Sequence, residues 1–147
     1  MEYGVKPALE HILARYPGAQ TYRPGDSAQL NAEIIALMRS GKKTATCAAL
    51  AEFAEVPDAM PRVGRIDIAL DWNQDAALAT HTLSVEEVAY SRMDASRVPP
   101  QGEFGSLEEW RKGYAAYLGR GGWFDPEAVL VYEQFEVIED FTNGTTS

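Results

Sequence analysis

The segment Ser40-Gly41-Lys42-Lys43-Thr44-Ala45-Thr46-Cys47 joins a predicted amphipathic helix to the first predicted strand. Side chains of an extended chain alternate between two faces, so Thr44 and Thr46 share a face. Two hydroxyls next to two lysines would form a cradle for an anionic or carbonyl-bearing ligand. The ordinary alternative is that β-branched threonines favour a strand and that the lysines end a solvated helix. Spacing alone does not separate these interpretations.

Three helices are predicted around this segment. The helix before it is capped by Asp26 or Ser27, and Gly41 suits the left-handed position past its end. Its apolar stripe recurs at helical spacing: Leu30, Ile34, Leu37 and Met38. An earlier helix is predicted over residues 6–16. The third begins at the capping box Ser106-Leu107-Glu108-Glu109 and runs to about Leu118.

Alternating or continuous apolar runs predict the strands. They cover residues 44–50, 65–72, 76–84 and 128–139. Residues 85–93 extend the third of these or form another strand, residues 51–55 continue the first or turn, and residues 73–75 form a hairpin turn. Residues 21–25 are predicted as a loop. Three helices and five or six strands joined by hairpins favour an α+β fold on a mostly antiparallel or barrel-like sheet. One domain is expected over residues 1–141, followed by a disordered tail over residues 142–147.

Composition excludes several classes of protein. The chain has 147 residues and a net charge of −9, which counts against a general nucleic-acid coat protein, because such binding depends on neutralising phosphates. No apolar run approaches the roughly 18 residues of a membrane helix, and the N-terminus lacks a secretion-signal pattern. Cys47 is the single cysteine, which fits a reducing compartment, so a cytoplasmic location is expected.

The remaining chemistry rests on lysine, threonine and glutamate. His11 and His81 are the two histidines, and with one cysteine they predict no zinc site. No Asp/Glu pattern indicates a carboxylate site for magnesium either, so no metal or other cofactor is expected. Gly119-Arg120-Gly121-Gly122 follows a helix instead of preceding one, which does not fit a phosphate loop. Lys43, Thr46 and a loop glutamate would make a catalytic set. A regular strand would point Lys43 and Thr46 to opposite faces, so Lys43 must lie in the turn before the strand or at a bulge.

Four segments resemble the ASCH family, which is related to PUA folds. Gly41-Lys42-Lys43-Thr44-Ala45-Thr46 resembles its Gly-x-Lys-Thr-x-Thr signature. The other three are Pro61-Arg62-Val63-Gly64 before a strand, the loop and helix over residues 102–114, and the closing strand over residues 132–137. The resemblance spans residues 26–140 and is closest to small stand-alone bacterial members. It implies a small β-barrel with flanking helices and a cleft beside the Lys-Thr segment.

The resemblance also implies function. Family members are thought to bind RNA or nucleosides; one group deacylates N(4)-acetylcytidine with a lysine, a threonine and a glutamate, and another member cleaves RNA. Carried over by position, these catalytic residues fall on Lys43, Thr46 and Glu103. The chain has Ala45-Thr46-Cys47-Ala48 where the deacylases continue with an aliphatic residue and an arginine, and it is longer than they are. The substrate is therefore left open.

Three hypotheses follow from these expectations. The first is a hydrolase acting on RNA or on an acylated cytidine nucleoside, with backbone N–H groups near Gly41 stabilising negative charge. Residues expected to bind the substrate are Lys42, Thr44, Arg62, Arg65 and Phe104. The second is a non-catalytic RNA-binding module, and the third is a regulatory domain for a small ligand. The expected partner is RNA or a modified nucleoside rather than a membrane, and the sequence leaves the oligomeric state open.

Overall fold

Five strands form a single mixed sheet in the computed structural model, which describes residues 8–141. They are β1 (Gln20–Tyr22), β2 (Ala45–Ala49), β3 (Ile66–Leu70), β4 (Ala76–Ala89) and β5 (Val129–Asp140). Their order is β1-β3-β4-β5-β2, with β1 parallel to β3 and the other pairings antiparallel. The sheet curves into a half-barrel, which confirms the predicted α+β class. The predicted tail and the start of the first predicted helix lie outside the described residues.

Strand β1 was not predicted, because residues 21–25 read as a loop. It has three residues, too few for a period-two pattern to stand out from the sequence. Its position depends on a distant partner: Thr21 pairs with Ile68 of β3, and the Gln20 N–H donates to the Asp67 carboxylate at 3.2 Å. Residues 85–89 extend β4, and residues 50–54 turn as a short 3-10 helix, so in both places the structure selects between the two predicted possibilities.

Three α-helices pack on this sheet within the described part of the chain: α1 (Leu9–Arg15), α2 (Ala28–Arg39) and α3 (Leu107–Arg120). Helix α2 begins at Ser27, whose hydroxyl accepts from the Leu30 N–H, and the chain leaves it through Gly41 at φ +83°. Helix α3 packs over the face of β2 that carries Ala45, Cys47 and Ala49. The other face of β2 is thereby left for a cleft.

The predicted capping box at Ser106 is confirmed. The Ser106 hydroxyl accepts from the Glu109 N–H at 3.1 Å, and the Glu109 carboxylate accepts from the Gly105 N–H at 2.9 Å. The first bond satisfies an N–H of the first turn of α3 that would otherwise lack a partner, and the second fixes the residue before the cap.

Replacing Ser106 by alanine is expected to lower the free energy of unfolding by about 1 kcal/mol, the usual effect of losing an N-cap hydroxyl. For a chain of this size that corresponds to a melting temperature lower by about 2–4 °C, measurable by calorimetry. Ser40→Ala is the control, since the Ser40 hydroxyl donates to Leu37 O, a carbonyl that already accepts two backbone N–H groups. An equal loss in both variants would contradict the capping argument.

Candidate functional site

A cleft of about 320 Å³ lies on the face of β2 and β5 that α3 leaves uncovered. Lys43, Thr46 and Glu103 all line it, together with Arg65. Its other polar walls come from the middle strands, and aromatic rings close its sides. These further lining residues are Tyr22, Phe53, Asp67, Thr80, Glu133 and Phe135. Three segments distant in sequence therefore meet in one concavity.

Lys43 lies in the turn between α2 and β2, since its N–H and that of Lys42 both donate to Leu37 O and β2 begins at Ala45. Its side chain is only 4% exposed. The Nζ atom donates to Ala45 O and to Gln101 O, both at 3.0 Å, and to Glu103 Oε2 at 2.6 Å. All three ammonium protons thus have acceptors, and two of these acceptors are fixed backbone carbonyls.

The loop that carries Glu103 is held against Lys43 by backbone contacts. The Thr44 N–H donates to Pro100 O at 2.7 Å, which joins the loop to the start of β2. Gly102 adopts φ +73°, and a Cβ there would lie 2.8 Å from Lys42 O. Fully buried Gln101 anchors the same loop by accepting from the Trp110 indole N–H at 3.0 Å. The position of the Glu103 carboxylate therefore depends on a glycine and on the core of α3.

Thr46 points into the cleft because β2 alternates, with buried Ala45 and Cys47 on either side of it facing α3. Directly opposite Thr46 in the antiparallel ladder is Glu133 of β5. Side chains of such a cross-strand pair share a face, with Cβ atoms about 4.5–5.5 Å apart. Glu133 accepts from the Thr82 hydroxyl at 2.6 Å. Burial raises the pKa of the Glu133 carboxyl above its ordinary value, and the Thr82 hydrogen bond opposes that rise.

Arg65 lines the cleft, but most of its N–H donors already have acceptors. It donates to the Asp67 carboxylate through Nε at 3.1 Å and Nη2 at 3.0 Å, and to Asp58 O through Nη1 at 2.8 Å. Asp67 is buried and also accepts from the Gln20 N–H. Arg65 therefore ties the segment around Asp58 to β3 and keeps few donors for a phosphate.

The structure does not bring the other predicted residues into this cleft. Lys42 and Thr44 are exposed beside it, and Phe104 packs edge-on against Tyr114 of α3, with ring centroids 5.9 Å apart. The backbone N–H groups of residues 41–43, expected to stabilise negative charge, instead donate to the last carbonyls of α2. That expectation was wrong, because the C-terminus of a helix needs those donors itself.

A larger groove of about 840 Å³ lies beyond the turn that carries Phe53, and it contains Arg62. Its lining is mostly aliphatic and aromatic: Ala49, Leu50, Ala51, Ala54, Pro57, Met60, Trp123, Ala128 and Val129. The smaller cleft is the stronger candidate despite its volume, because convergent charged and hydroxyl groups, rather than size, provide chemistry.

Sequence reasoning missed Glu133 as a site residue. It also missed Tyr22, which lies on the unpredicted strand β1, and Asp67, which lies on the predicted strand β3. A signal for Glu133 was present, since residues 131, 133 and 135 share one face of β5, and a glutamate there interrupts an otherwise apolar row. A charged residue inside an apolar face is costly unless it serves a site.

Two other kinds of chemistry receive no support from the described residues. Between residues 8 and 141 no three His, Cys, Asp or Glu side chains are grouped so that they would hold a metal ion. Burial raises the pKa of the Cys47 thiol to about 12, so it carries no thiolate at neutral pH and is a poor nucleophile.

Over residues 8–141 no helix is both long and apolar enough to cross a membrane.

Comparison with known proteins identifies solved structures that are similar to this chain and the family model that matches it. In solved structures, the chain is similar to protein EF3133 from Enterococcus faecalis V583, at 24% identity and a TM-score of 0.79, covering 94% of this chain and 90% of that one. It is also similar to an ASCH domain from Lactobacillus crispatus JV V101, at 20% identity and a TM-score of 0.71, covering 86% and 84%. No curated protein gives a significant match. The family model for the ASCH domain matches residues 20–139. The chain therefore belongs to the ASCH domain family, which has a PUA-like fold.

Proposed function

We propose that this protein is a hydrolase that removes an acyl group from an exocyclic nitrogen of a cytidine-type nucleoside. The observation that carries the proposal is the setting of Lys43, whose amine meets two backbone carbonyls and the Glu103 carboxylate in the cleft that Thr46 shares. An amine, a hydroxyl and a carboxylic acid together provide a base, a nucleophile and an acid.

The two carbonyls around Lys43 suit both protonation states of its amine. The ammonium form uses all three acceptors, whereas a neutral amine has two N–H groups, which match Ala45 O and Gln101 O. Its lone pair is then directed toward the third position, at Glu103 and the cleft. Transfer of one proton over the 2.6 Å contact to Glu103 therefore prepares a base and an acid in a single step.

Acylation follows from this state. The Lys43 amine takes the Thr46 hydroxyl proton while the oxygen attacks the acyl carbon, and the new ammonium stabilises the negative oxygen beside it. Glu103 then gives its proton to the leaving nitrogen. The products of this half are the free exocyclic amine, an ester on Thr46, and the original charges on Lys43 and Glu103.

Hydrolysis of the ester reverses the roles. The Glu103 carboxylate takes a proton from water as the water oxygen attacks the ester carbon. Lys43 returns a proton to the departing Thr46 oxygen. Transfer of the proton on Glu103 to the Lys43 amine restores the resting ion pair, so that acyl group and water leave as a carboxylic acid.

The charge of the cleft supports a nucleoside over an RNA strand. Both cations that line it, Lys43 and Arg65, contact carboxylates, and Glu133 adds a further acidic group. A phosphate backbone would meet negative charge there without free cations to neutralise it. A volume of about 320 Å³ lies at the lower end of the range of small-molecule pockets, about 300–1,000 Å³.

The test is turnover of N(4)-acetylcytidine, followed by chromatography, beside a short single-stranded RNA. Thr46→Val keeps a β-branched side chain on β2 but removes the nucleophile, and it is expected to lower kcat by at least about 10³-fold, the scale of losing an activated nucleophile. Thr44→Val is the matched control, because Thr44 is exposed outside the cleft, and it should retain activity. Full activity in Thr46→Val would rule out Thr46 as the nucleophile. Cleavage of the RNA without hydrolysis of N(4)-acetylcytidine would show that the substrate is RNA and not an acylated nucleoside.

Salt dependence separates the two substrate classes a second way. Binding of the nucleoside to Thr46→Val is expected to change little between 50 and 200 mM salt, a range over which six to ten phosphate contacts would lose about 10³–10⁵ in affinity. Titration calorimetry at the two salt concentrations measures this. A steep loss of nucleoside affinity would contradict the proposal.

A further inference from the structure

Glu133 differs from the other carboxylates of the cleft in its partners. Glu103 contacts the Lys43 ammonium and Asp67 contacts the Arg65 guanidinium. Glu133 accepts from a neutral hydroxyl, that of Thr82, and within residues 8–141 it makes no ion pair. Glu52, at the rim, accepts from the Tyr117 hydroxyl at 2.7 Å. Glu133 is therefore the acceptor that the cleft keeps available for a ligand.

We propose that Glu133 is a ligand-binding residue that selects a flat N–C–N edge through its N–H donors: both nitrogens donate in an amidine, and the exocyclic nitrogen donates in a cytosine-type base. This inference rests on the proposed function, and it identifies the part of the substrate that Glu133 would bind. An ionised carboxylate and the two N–H donors of an amidinium match as two parallel hydrogen bonds in one plane. A cytosine-type base offers the carboxylate one of these two bonds, from its exocyclic N–H, because its ring nitrogen N3 is an acceptor.

The ladder register supports this assignment. Glu133 stands directly across from Thr46, so an N–C–N edge held by Glu133 places its exocyclic nitrogen beside the threonine hydroxyl. An acyl group on that nitrogen then lies next to the nucleophile. Recognition and reaction would thus take place on one cross-strand pair, in the cleft that Lys43 and Glu103 also line.

The energetics of Glu133 also indicate a ligand role. Its carboxyl is largely desolvated, with the Asp67 carboxylate nearby, while Arg65 and Lys43 attract it from a distance. Its pKa is raised, so the ionised form costs the folded protein free energy. A side chain that is costly to the fold and available to the cleft fits a functional purpose better than a structural one.

The experiment uses two probes of equal shape and opposite charge, benzamidine and benzoate, titrated into the full-length protein by calorimetry. Wild type is expected to bind benzamidine at least about tenfold more tightly than benzoate, the effect of one charge-assisted hydrogen-bonded pair. Glu133→Gln should lose about tenfold in benzamidine affinity and none for benzoate. Glu136→Gln, on the same strand but half-exposed and bonded to His81, is the control and should match wild type.

The melting temperature separates a ligand role from a structural one. For Glu133 the ordinary carboxyl pKa is 4.5 and the folded pKa lies above it, so the stability of the wild type falls as pH rises from 4.5 through the folded value. Glu133→Gln lacks this loss and should therefore melt at a higher temperature than the wild type at pH 8. The gain should vanish below pH 4.5.

Equal benzamidine affinity in wild type and Glu133→Gln would overturn the inference, as would tighter binding of benzoate than of benzamidine. Weaker benzamidine binding together with a lower melting temperature would assign Glu133 a structural role and would also overturn it. Turnover of N(4)-acetylcytidine is scored separately. A wild type that binds benzamidine through Glu133 but hydrolyses no acyl nucleoside would refute the proposed function and leave this inference standing.

Discussion

Replacing Lys43 by methionine should lower kcat/KM for an acylated nucleoside by at least about 10³-fold. In the proposed mechanism Lys43 is a positioned general base, which contributes about 10²–10⁴, and its ammonium form then stabilises the negative oxygen. Methionine keeps an unbranched stem in the buried turn and removes only the amine. Lys43→Ala should lose as much activity. Lys42→Met is the control, because the Lys42 side chain is exposed beside the cleft and is expected to leave turnover unchanged.

The same substitution tests how far the ion pair is structural. Removing one partner of a buried pair costs about 3–5 kcal/mol, but the Glu103 side chain is 24% exposed and water can solvate it once the amine is gone. We therefore expect a smaller loss of stability than for a fully buried pair. A folded, inactive Lys43→Met protein supports a catalytic amine, and a folded variant with normal turnover excludes one.

A double substitution adds information that the single ones lack. If Lys43 and Glu103 exchange a proton as one unit, Lys43→Met with Glu103→Gln should be about as inactive as the worse single variant. Independent roles would instead multiply the two losses. The measurement is kcat/KM for the wild type, both single variants and the double variant under one condition.

The convergence of Lys43 and Glu103 could be expected from sequence only through family resemblance. The residues are 60 positions apart, and no periodicity links them. Local pattern predicted the elements on either side correctly: the stripe of α2, the cap at Ser106 and the alternation of β2 each depend on neighbours in sequence. The requirement that Lys43 precede the strand was likewise a local argument, and the structure places it there.

The features of the cleft that the sequence could not predict depend on contacts between strands that are distant in sequence. Tyr22 reaches the cleft because β1 pairs with β3, a parallel contact that three residues cannot encode by themselves. The opposition of Thr46 and Glu133 depends on the register between β2 and β5, where a shift of one residue would turn Glu133 to the other face. Arg65 lines the cleft, and its hydrogen bonds to Asp67 and to Asp58 O depend on tertiary packing that the sequence does not show.

Gly102 shapes the loop that holds Glu103 beside Lys43, and we expect Gly102→Ala to lower both the stability and the turnover of the protein. The substitution forces an L-residue into φ +73°, which costs about 1–2 kcal/mol. Its Cβ would also lie 2.8 Å from Lys42 O and 3.0 Å from Lys43 Cα, so backbone must move, at a further cost of about 1–3 kcal/mol. Movement of the loop carries Glu103 away from the amine, and a misplacement of about 1 Å in such a site costs about 10²-fold in rate.

Gly41→Ala is the matched control for this prediction. Gly41 has φ +83° in the turn between α2 and β2 that carries Lys43, and a Cβ there would meet nothing within 4 Å. It should therefore lose stability through backbone strain alone and keep most of its turnover, whereas Gly102→Ala loses both. Melting temperature and kcat/KM measured on the two variants separate strain from displacement. Equal turnover in both would show that the Glu103 carboxylate need not sit beside Lys43, because the loop that delivers it would have shifted without consequence.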